Sequence, residues 1–362
     1  MDIYIIVFIL SFLLTSIRSQ YSGSRNAYLC ISFLILFAYT ALRVNYGADY
    51  PNYENIYNII HEPYGELDNF ISERGEIGYV WLNKLMPSFR ALIIFQSGIF
   101  ILAYYLTFKR YSYYKDYRWA FLIMLIIPYS LMFQMSGIRS SFVTVALMLL
   151  VPLFINKSFK SFIWYTIVLY LLSYIHTSAI FLIPIYFIIS PRPISNRTFL
   201  SLSLGIVIYS LVANFILHDL VDVFVERFFP VYTFYTDSAT SSSGFSITNI
   251  IFMATKLTIF ILTLTVLKEP GLAKSDYVLI KLALLYSFIL ITPGVGLSSR
   301  FLFYFAPFLV ITAPFIARKI KTSSWRIIYI LLFAAIFLYQ FYYFTIGEQM
   351  TYYSNYESIL SF

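Results

Sequence analysis

Charge is scarce in this sequence, histidine occurs three times and cysteine once. Each scarcity excludes something. The single cysteine, Cys30, lies inside an apolar run, so neither an intrachain disulfide nor a thiolate metal cluster can form. Three histidines, His61, His176 and His218, rule out a histidine-rich metal site. No phosphate-cradling glycine loop, cysteine–histidine metal pattern or serine elbow occurs. Charged residues make up 12% of the 362 residues and mean hydropathy is +0.77, which excludes a soluble globular enzyme. The apolar runs lack the polar–apolar alternation of an outer-membrane barrel strand. What remains is an all-α, polytopic membrane bundle, because in lipid a helix satisfies its own backbone. The net charge of +8 does not imply a nucleic-acid partner, since the positive residues are scattered between apolar runs.

What is present is hydrocarbon-compatible sequence, 60% hydrophobic and 21% aromatic. Apolar spans are expected near 3–17, 27–42, 91–108, 119–134, 140–156, 162–175, 178–190, 199–217, 249–267, 278–293, 301–317 and 327–346, about twelve in all. Asp2 precedes the first run and no small-residue cleavage site follows it, so it reads as a span rather than a signal peptide. Short hairpin or re-entrant elements fit the weakest stretch, 162–190, where two short apolar pieces flank His176. A tight hairpin there keeps Lys157 and Arg192 on one side; a single long helix would separate them.

Lysine and arginine set the orientation. Loops at 18–26, 108–118, 157–161, 191–198, 268–276 and 318–326 hold most of the basic residues and only three acids, Asp116, Glu269 and Asp276. By the positive-inside rule these loops are cytoplasmic, and both termini and the segments 43–88 and 218–248 face outward. The whole chain, 1–362, reads as a single transmembrane domain.

The outward connections are where chemistry is expected. The largest polar island runs from Arg43 through Gly47, Asp49, Tyr50 and Tyr53, with Glu73, Arg74, Glu76 and Tyr79 beyond it. Arg139 follows the turn Gly137-Ile138, His176 stands in a short turn, and Arg300 follows a Gly- and Ser-containing turn. Arginine on this face breaks the positive-inside rule, and near a helix N-terminus the dipole already disfavours a cation, so an anion is expected opposite. That anion is either a ligand or a structural carboxylate, Asp49 or Glu76. Arg90 and Lys84 read as snorkelling interfacial anchors, and His176 equally suits a packed interfacial histidine. The tyrosines and phenylalanines are mostly belt and core, with a minority free to stack on sugars. The reading requires no cofactor and no metal, although Asp49, Glu54, Glu73 and Glu76 are acids that could hold a divalent ion.

The motifs Arg43…Gly47-x-Asp49-Tyr50-x-x-Tyr53, Glu76-x-Gly78-Tyr79 with Leu82-Asn83, Gly137-Ile138-Arg139, His176-Thr177-Ser178 and Ser299-Arg300 resemble, in this order, the EpsG-like group of Wzy-type bacterial polysaccharide polymerases. The resemblance implies a glycosyltransferase at the outer face of the cytoplasmic membrane. Its substrates would be undecaprenyl-diphosphate-linked oligosaccharides, with membrane lipid around it and a flippase and a chain-length regulator as partners. It implies Arg43, Arg139 and Arg300 on the diphosphate, Tyr50, Tyr53 and Tyr79 on sugar, and a base among Asp49, His176 and Glu76, Asp49 first. A lipid-linked oligosaccharide flippase and a membrane acyltransferase are the rivals from other classes.

Overall fold

A computed structural model describes residues 2–17, 21–62, 76–212, 247–291, 296–347, 350–353 and 356–358. They are almost wholly helical and form two compact units, Met1–Pro191 with Gln340–Phe362, and Arg192–Tyr339. In the first unit, α1 (Asp2–Ser16) packs on α2 (Ser22–Ala41). Tyr4 and Phe8 of α1 are buried while Ile3, Ile6, Leu10 and Leu13 are exposed. An apolar outer face of this kind suits lipid, where packing rather than water exclusion joins helices.

After α2 the chain forms a two-residue strand, β1 (Arg43–Val44), and then the polar island turns out to be structured. It contains α3 (Tyr50–His61) and α4 (Ile77–Leu85). Pro51 lies in the first turn of α3, where its missing N–H costs nothing. Tyr50, Tyr53, Tyr57 and Ile60 fall on one face of that helix and are buried. The three tyrosines and Tyr79 of α4 join Phe89, Leu92, Ile93, Ile138 and Phe142 in one cluster. Burying side chains of this size is worth roughly 1.5–3 kcal/mol each, so the cluster pins both short helices to the spans. Residues 63–75, with Glu73 and Arg74, lie outside the described residues, as does the expected outward segment 218–248 as far as residue 246.

The spans follow. Helix α5 (Phe89–Tyr111) is capped by Ser88, whose Oγ accepts from Ala91 N at 3.1 Å, and ends on Lys109 and Arg110, which suit its dipole. The expected continuous span at 119–134 is broken. Helix α6 (Tyr117–Ile126) stops before Pro128, and the axis turns by 103° into a short segment ending in α7 (Met132–Ser136). Gly137 separates α7 from α8 (Ile138–Leu149), and α9 (Val151–Ile155) and α10 (Phe159–Ser173) continue the chain. At Tyr174–His176 the chain reverses through a 3-10 turn (Thr177–Leu182) into α11 (Ile185–Ile188). Tyr186 Oη donates to Ser158 O at 2.8 Å and Lys157 Nζ donates to Ile189 O at 2.8 Å. This is the hairpin, not the long helix.

The second unit holds α12 (Asn196–Val212), α13 (Ile247–Leu267), α14 (Lys274–Ile291), α15 (Gly296–Lys319) and α16 (Ser323–Thr345) as far as Tyr339. Lys321 pairs with Glu269 at 2.9 Å beside a cavity of about 500 Å³ among α13, α15 and α16. The chain closes in the first unit with α17 (Met350–Tyr353) and β2 (Glu357–Ser358), which pairs antiparallel with β1.

The helices thus have a membrane protein's length and composition, and among the described residues length and apolarity mark out fewer single-helix crossings than the twelve expected. Among the described residues four stretches are long and apolar enough to cross alone: Phe89–Tyr111, Ile250–Leu267, Phe301–Lys319 and Ser323–Thr345. The bent pair Tyr114–Ile126 and Pro128–Ser136 makes a fifth if it is one span. Other apolar helices, such as Ile138–Leu149 and Phe159–Ser173, are shorter because Gly137, Leu150 and the Tyr174–His176 turn interrupt them.

Candidate active site

The junction between α7 and α8 is the point on which the polar residues converge. The fork of Arg43 crosses beneath it. Arg43 is fully enclosed, and its guanidinium donates to Thr40 O, Ser97 Oγ (2.7 Å), Gln96 Oε1 (2.9 Å) and Met135 O (3.0 Å). Gln96 Nε2 in turn donates to Ser141 Oγ at 2.8 Å and Gln134 O at 3.2 Å. All four acceptors of Arg43 are neutral. Such a network ties α2, α5, α7 and α8 together at a depth where an unsatisfied polar atom is costly. Arg90 donates to the carbonyls of Ala41 and Arg43, satisfying the end of α2. It therefore does more than snorkel.

One turn above, the Gly47–Asp49 loop lies on Ser136. Gly47 has φ +91°, and a Cβ there would stand 2.5 Å from the Ser136 Cβ, so only glycine fits. Asp49 N donates to Ser136 Oγ at 3.2 Å. The Asp49 side chain is exposed at the N-cap position of α3, and Tyr53 N donates to its carbonyl.

The charged cluster sits at the start of α8. Arg139, in its first turn, pairs with Glu76 Oε2. The other oxygen, Glu76 Oε1, accepts from His176 Nδ1 at 3.2 Å, Thr177 Oγ1 at 3.2 Å and Thr177 N at 3.3 Å. Side-chain exposure is 5% for Glu76 and 14% for both Arg139 and His176. Burial by itself would raise the Glu76 carboxyl; the His176 hydrogen bond and the Arg139 charge outweigh it and hold the group below the ordinary carboxylate value. Arg139 also lies over the rings of Tyr53 and Tyr79, at 5.4 and 5.7 Å from their centroids, and Nε donates to Tyr53 Oη at 3.4 Å. The His176 turn is held in place by backbone bonds: Gly78 N and Tyr79 N both donate to Tyr174 O, at 2.8 and 3.2 Å. A Cβ on Gly78 would come within 3.0 Å of Tyr174.

Four motifs, from the one holding Asp49 and Tyr53 to the one holding His176, thus meet at one place, and the chain can be compared as a whole. The family model described as EpsG family matches residues 26–358. The chain belongs to the EpsG family. No curated protein and no solved structure matches it. Membership makes the protein a membrane component of polysaccharide biosynthesis.

In this EpsG-family chain the structure brings Glu76, Arg139, His176, Tyr53 and Tyr79 into direct contact. Asp49 and Tyr50 stand at the adjoining turn, and the Tyr50 ring packs against Phe89 at 5.2 Å. Arg43 touches the same junction from beneath, through Met135 O, without meeting a carboxylate among the described residues. Arg300 is in α15; its side chain lies outside the described residues. The anion facing Arg139 is the structural carboxylate Glu76 rather than Asp49. Sequence reasoning missed Gln96 and Ser97, and it gave no role to Ser136 or to Thr177 of the His176-Thr177-Ser178 motif. Gln96 and Ser97 carried a usable signal, being adjacent polar residues in the middle of an apolar span.

Proposed function

We propose that the protein is a Wzy-type polymerase that joins oligosaccharide repeat units carried on undecaprenyl diphosphate, at the outer face of a bacterial cytoplasmic membrane. The single observation that carries this reading is the buried His176–Glu76–Arg139 arrangement, walled by Tyr53 and Tyr79 and set at a broken helix. It combines a braced base, a cation and stacking surfaces for sugar.

In the proposed transfer, a hydroxyl at the non-reducing end of the incoming unit attacks the anomeric carbon of the growing chain. The new glycosidic C–O bond forms as the bond to the diphosphate breaks, and undecaprenyl diphosphate leaves with the electron pair. The proton of the hydroxyl passes to a base. Donation from His176 Nδ1 to Glu76 leaves the basic lone pair on Nε2 and fixes the ring, as a base with an orienting carboxylate requires. We therefore assign the proton to His176 and give Asp49, exposed beside Tyr50, the recognition of the acceptor sugar. Arg139 stabilises the charge that builds on the diphosphate. Arg43, with its fork already occupied by neutral acceptors, supports the junction from which Arg139 projects. The chemistry needs no cofactor; lipid tails enter between helices, and a flippase and a chain-length regulator act before and beside it.

The test is a purified protein incubated with lipid-linked repeat unit alone: a ladder of products and release of undecaprenyl diphosphate are expected, and single units left intact would refute the reading. One observation favours a second reading. The contact of His176 with a buried carboxylate also suits acyl transfer. Surface glycan from a deletion strain separates the two, because lost polymerisation leaves single-unit glycan whereas lost acylation leaves a full ladder without its substituent.

A further inference from the structure

The last residues of the chain return to the turn that carries Asp49. Strand β2 pairs with β1 in the register Arg43 to Ser358 and Val44 to Glu357. Tyr352 O accepts from Gly47 N at 3.0 Å. Tyr356 Oη donates to Tyr39 O at 2.6 Å, and its ring stacks on Tyr39 at 4.4 Å. Tyr353 is 5% exposed; its ring meets Phe133 at 4.9 Å and Tyr46 at 6.1 Å, and its hydroxyl reaches Ser136 and the backbone of Ala48.

These contacts share one target. Gly47 is pressed on one side against Ser136 and bonded on the other to Tyr352 O. The backbone of Arg43 carries the strand pairing while its side chain holds the core of the unit. By contrast, the packing of α1 on α2 and of α2 on α5 and the Arg43 network use residues that precede 150. The bundle therefore has its own adhesion, and the returning segment adds constraint at the Gly47–Asp49 turn and the α2–α7 junction around it.

We infer that the described returning residues, 350–353 and 356–358, form a strap that positions the Asp49 turn against the α7–α8 junction, with Tyr353 as its positioning residue. This rests on the polymerase reading for its catalytic consequence, not for its structural one. Fixing the turn from both sides sets the distance between the acceptor sugar at Asp49 and the base at His176. A misplacement of about 1 Å between reacting groups can cost roughly a hundredfold in rate. A displaced turn still carries Asp49 and its sugar contact, so substrate affinity changes much less than turnover.

The experiment compares wild type, a truncation after Gly347, Tyr353→Ala and Tyr353→Phe, each purified in nanodiscs. Amide exchange at Ala48–Tyr50 reads the strap; turnover on lipid-linked repeat unit reads its consequence. Truncation and Tyr353→Ala should speed exchange at the turn, leave exchange within α2 and α5 unchanged, and lower kcat roughly a hundredfold with KM within about threefold. Tyr353→Phe keeps the packing on Phe133 and loses the hydroxyl contacts, so it should fall between. Adding a peptide of residues 348–362 to the truncated protein should slow exchange and restore turnover, which a general folding defect would not allow. Unchanged exchange at the turn, or exchange that rises equally in α2 and α5, overturns the strap. Wild type that makes no polymer while truncation loosens the turn overturns the polymerase reading and leaves the strap standing.

Discussion

Replacing Glu76 with glutamine should reveal how much the buried cluster contributes. The change preserves shape and keeps an oxygen for Thr177, but it removes the charge facing Arg139. With 5% and 14% of the two side chains exposed, water cannot take over that role. Breaking one side of a buried pair costs about 3–5 kcal/mol. Arg139 keeps the faces of Tyr53 and Tyr79, each worth about 1 kcal/mol in such a setting, so the lower end, near 3 kcal/mol, is expected. For a chain of 362 residues that is a fall in Tm of roughly 4 °C, measurable by intrinsic fluorescence in nanodiscs. The double variant Glu76→Gln/Arg139→Met removes both charges and should regain at least half of the loss. Additive losses in the double variant would refute the reasoning, because they would mean that the two charges do not stabilise each other.

The pH dependence follows from the sign of the shift. The Glu76 carboxyl is held low in the folded protein, so its contribution is fully present above the unfolded value of about 4.3 and is lost as pH falls through the lower folded value. The gap in Tm between wild type and Glu76→Gln should close in acid, below the ordinary carboxylate value of about 4.3. A gap that closes already near neutrality would place the responsible titration elsewhere.

Three other outcomes are expected. His176→Gln should lower polymerisation per folded molecule roughly a hundredfold or more, as loss of a general base does; Asp49→Asn should act mainly on KM, and the reverse pattern in steady-state kinetics would return the base to Asp49. Arg43→Lys should reduce the yield of folded protein, since an ammonium cannot span Thr40, Ser97, Gln96 and Met135 together; a fully stable variant with lost turnover would instead make Arg43 a ligand. In intact cells a cysteine at exposed Glu54 should react with an impermeant thiol reagent and one at Ser112 should not, and labelling at Ser112 would reverse the orientation.

How far the sequence could be read depends on which physical signal each feature left in it. Composition and apolar run length determine helicity in lipid, and those were legible; so were Glu76, Arg139 and His176, because a charged or titratable group beside a span requires a partner. Their mutual contact was legible only as a choice between Asp49 and Glu76 for Arg139, since a carboxylate 63 residues away in sequence gives no local trace of its partner. The uniform span at 119–134 was misread because hydropathy sums over Pro128, whereas the ring of proline acts on backbone geometry. Arg43 illustrates the hardest case. Its sequence position, closing a span on the outward side, is equally suited to a ligand and to a core fork, and the difference lies in Gln96 and Ser97, which reach it from another helix. A cation buried on neutral acceptors holds four elements in register. On the proposed polymerase reading the diphosphate then falls to Arg139, which Glu76 and the faces of Tyr53 and Tyr79 hold at the start of α8.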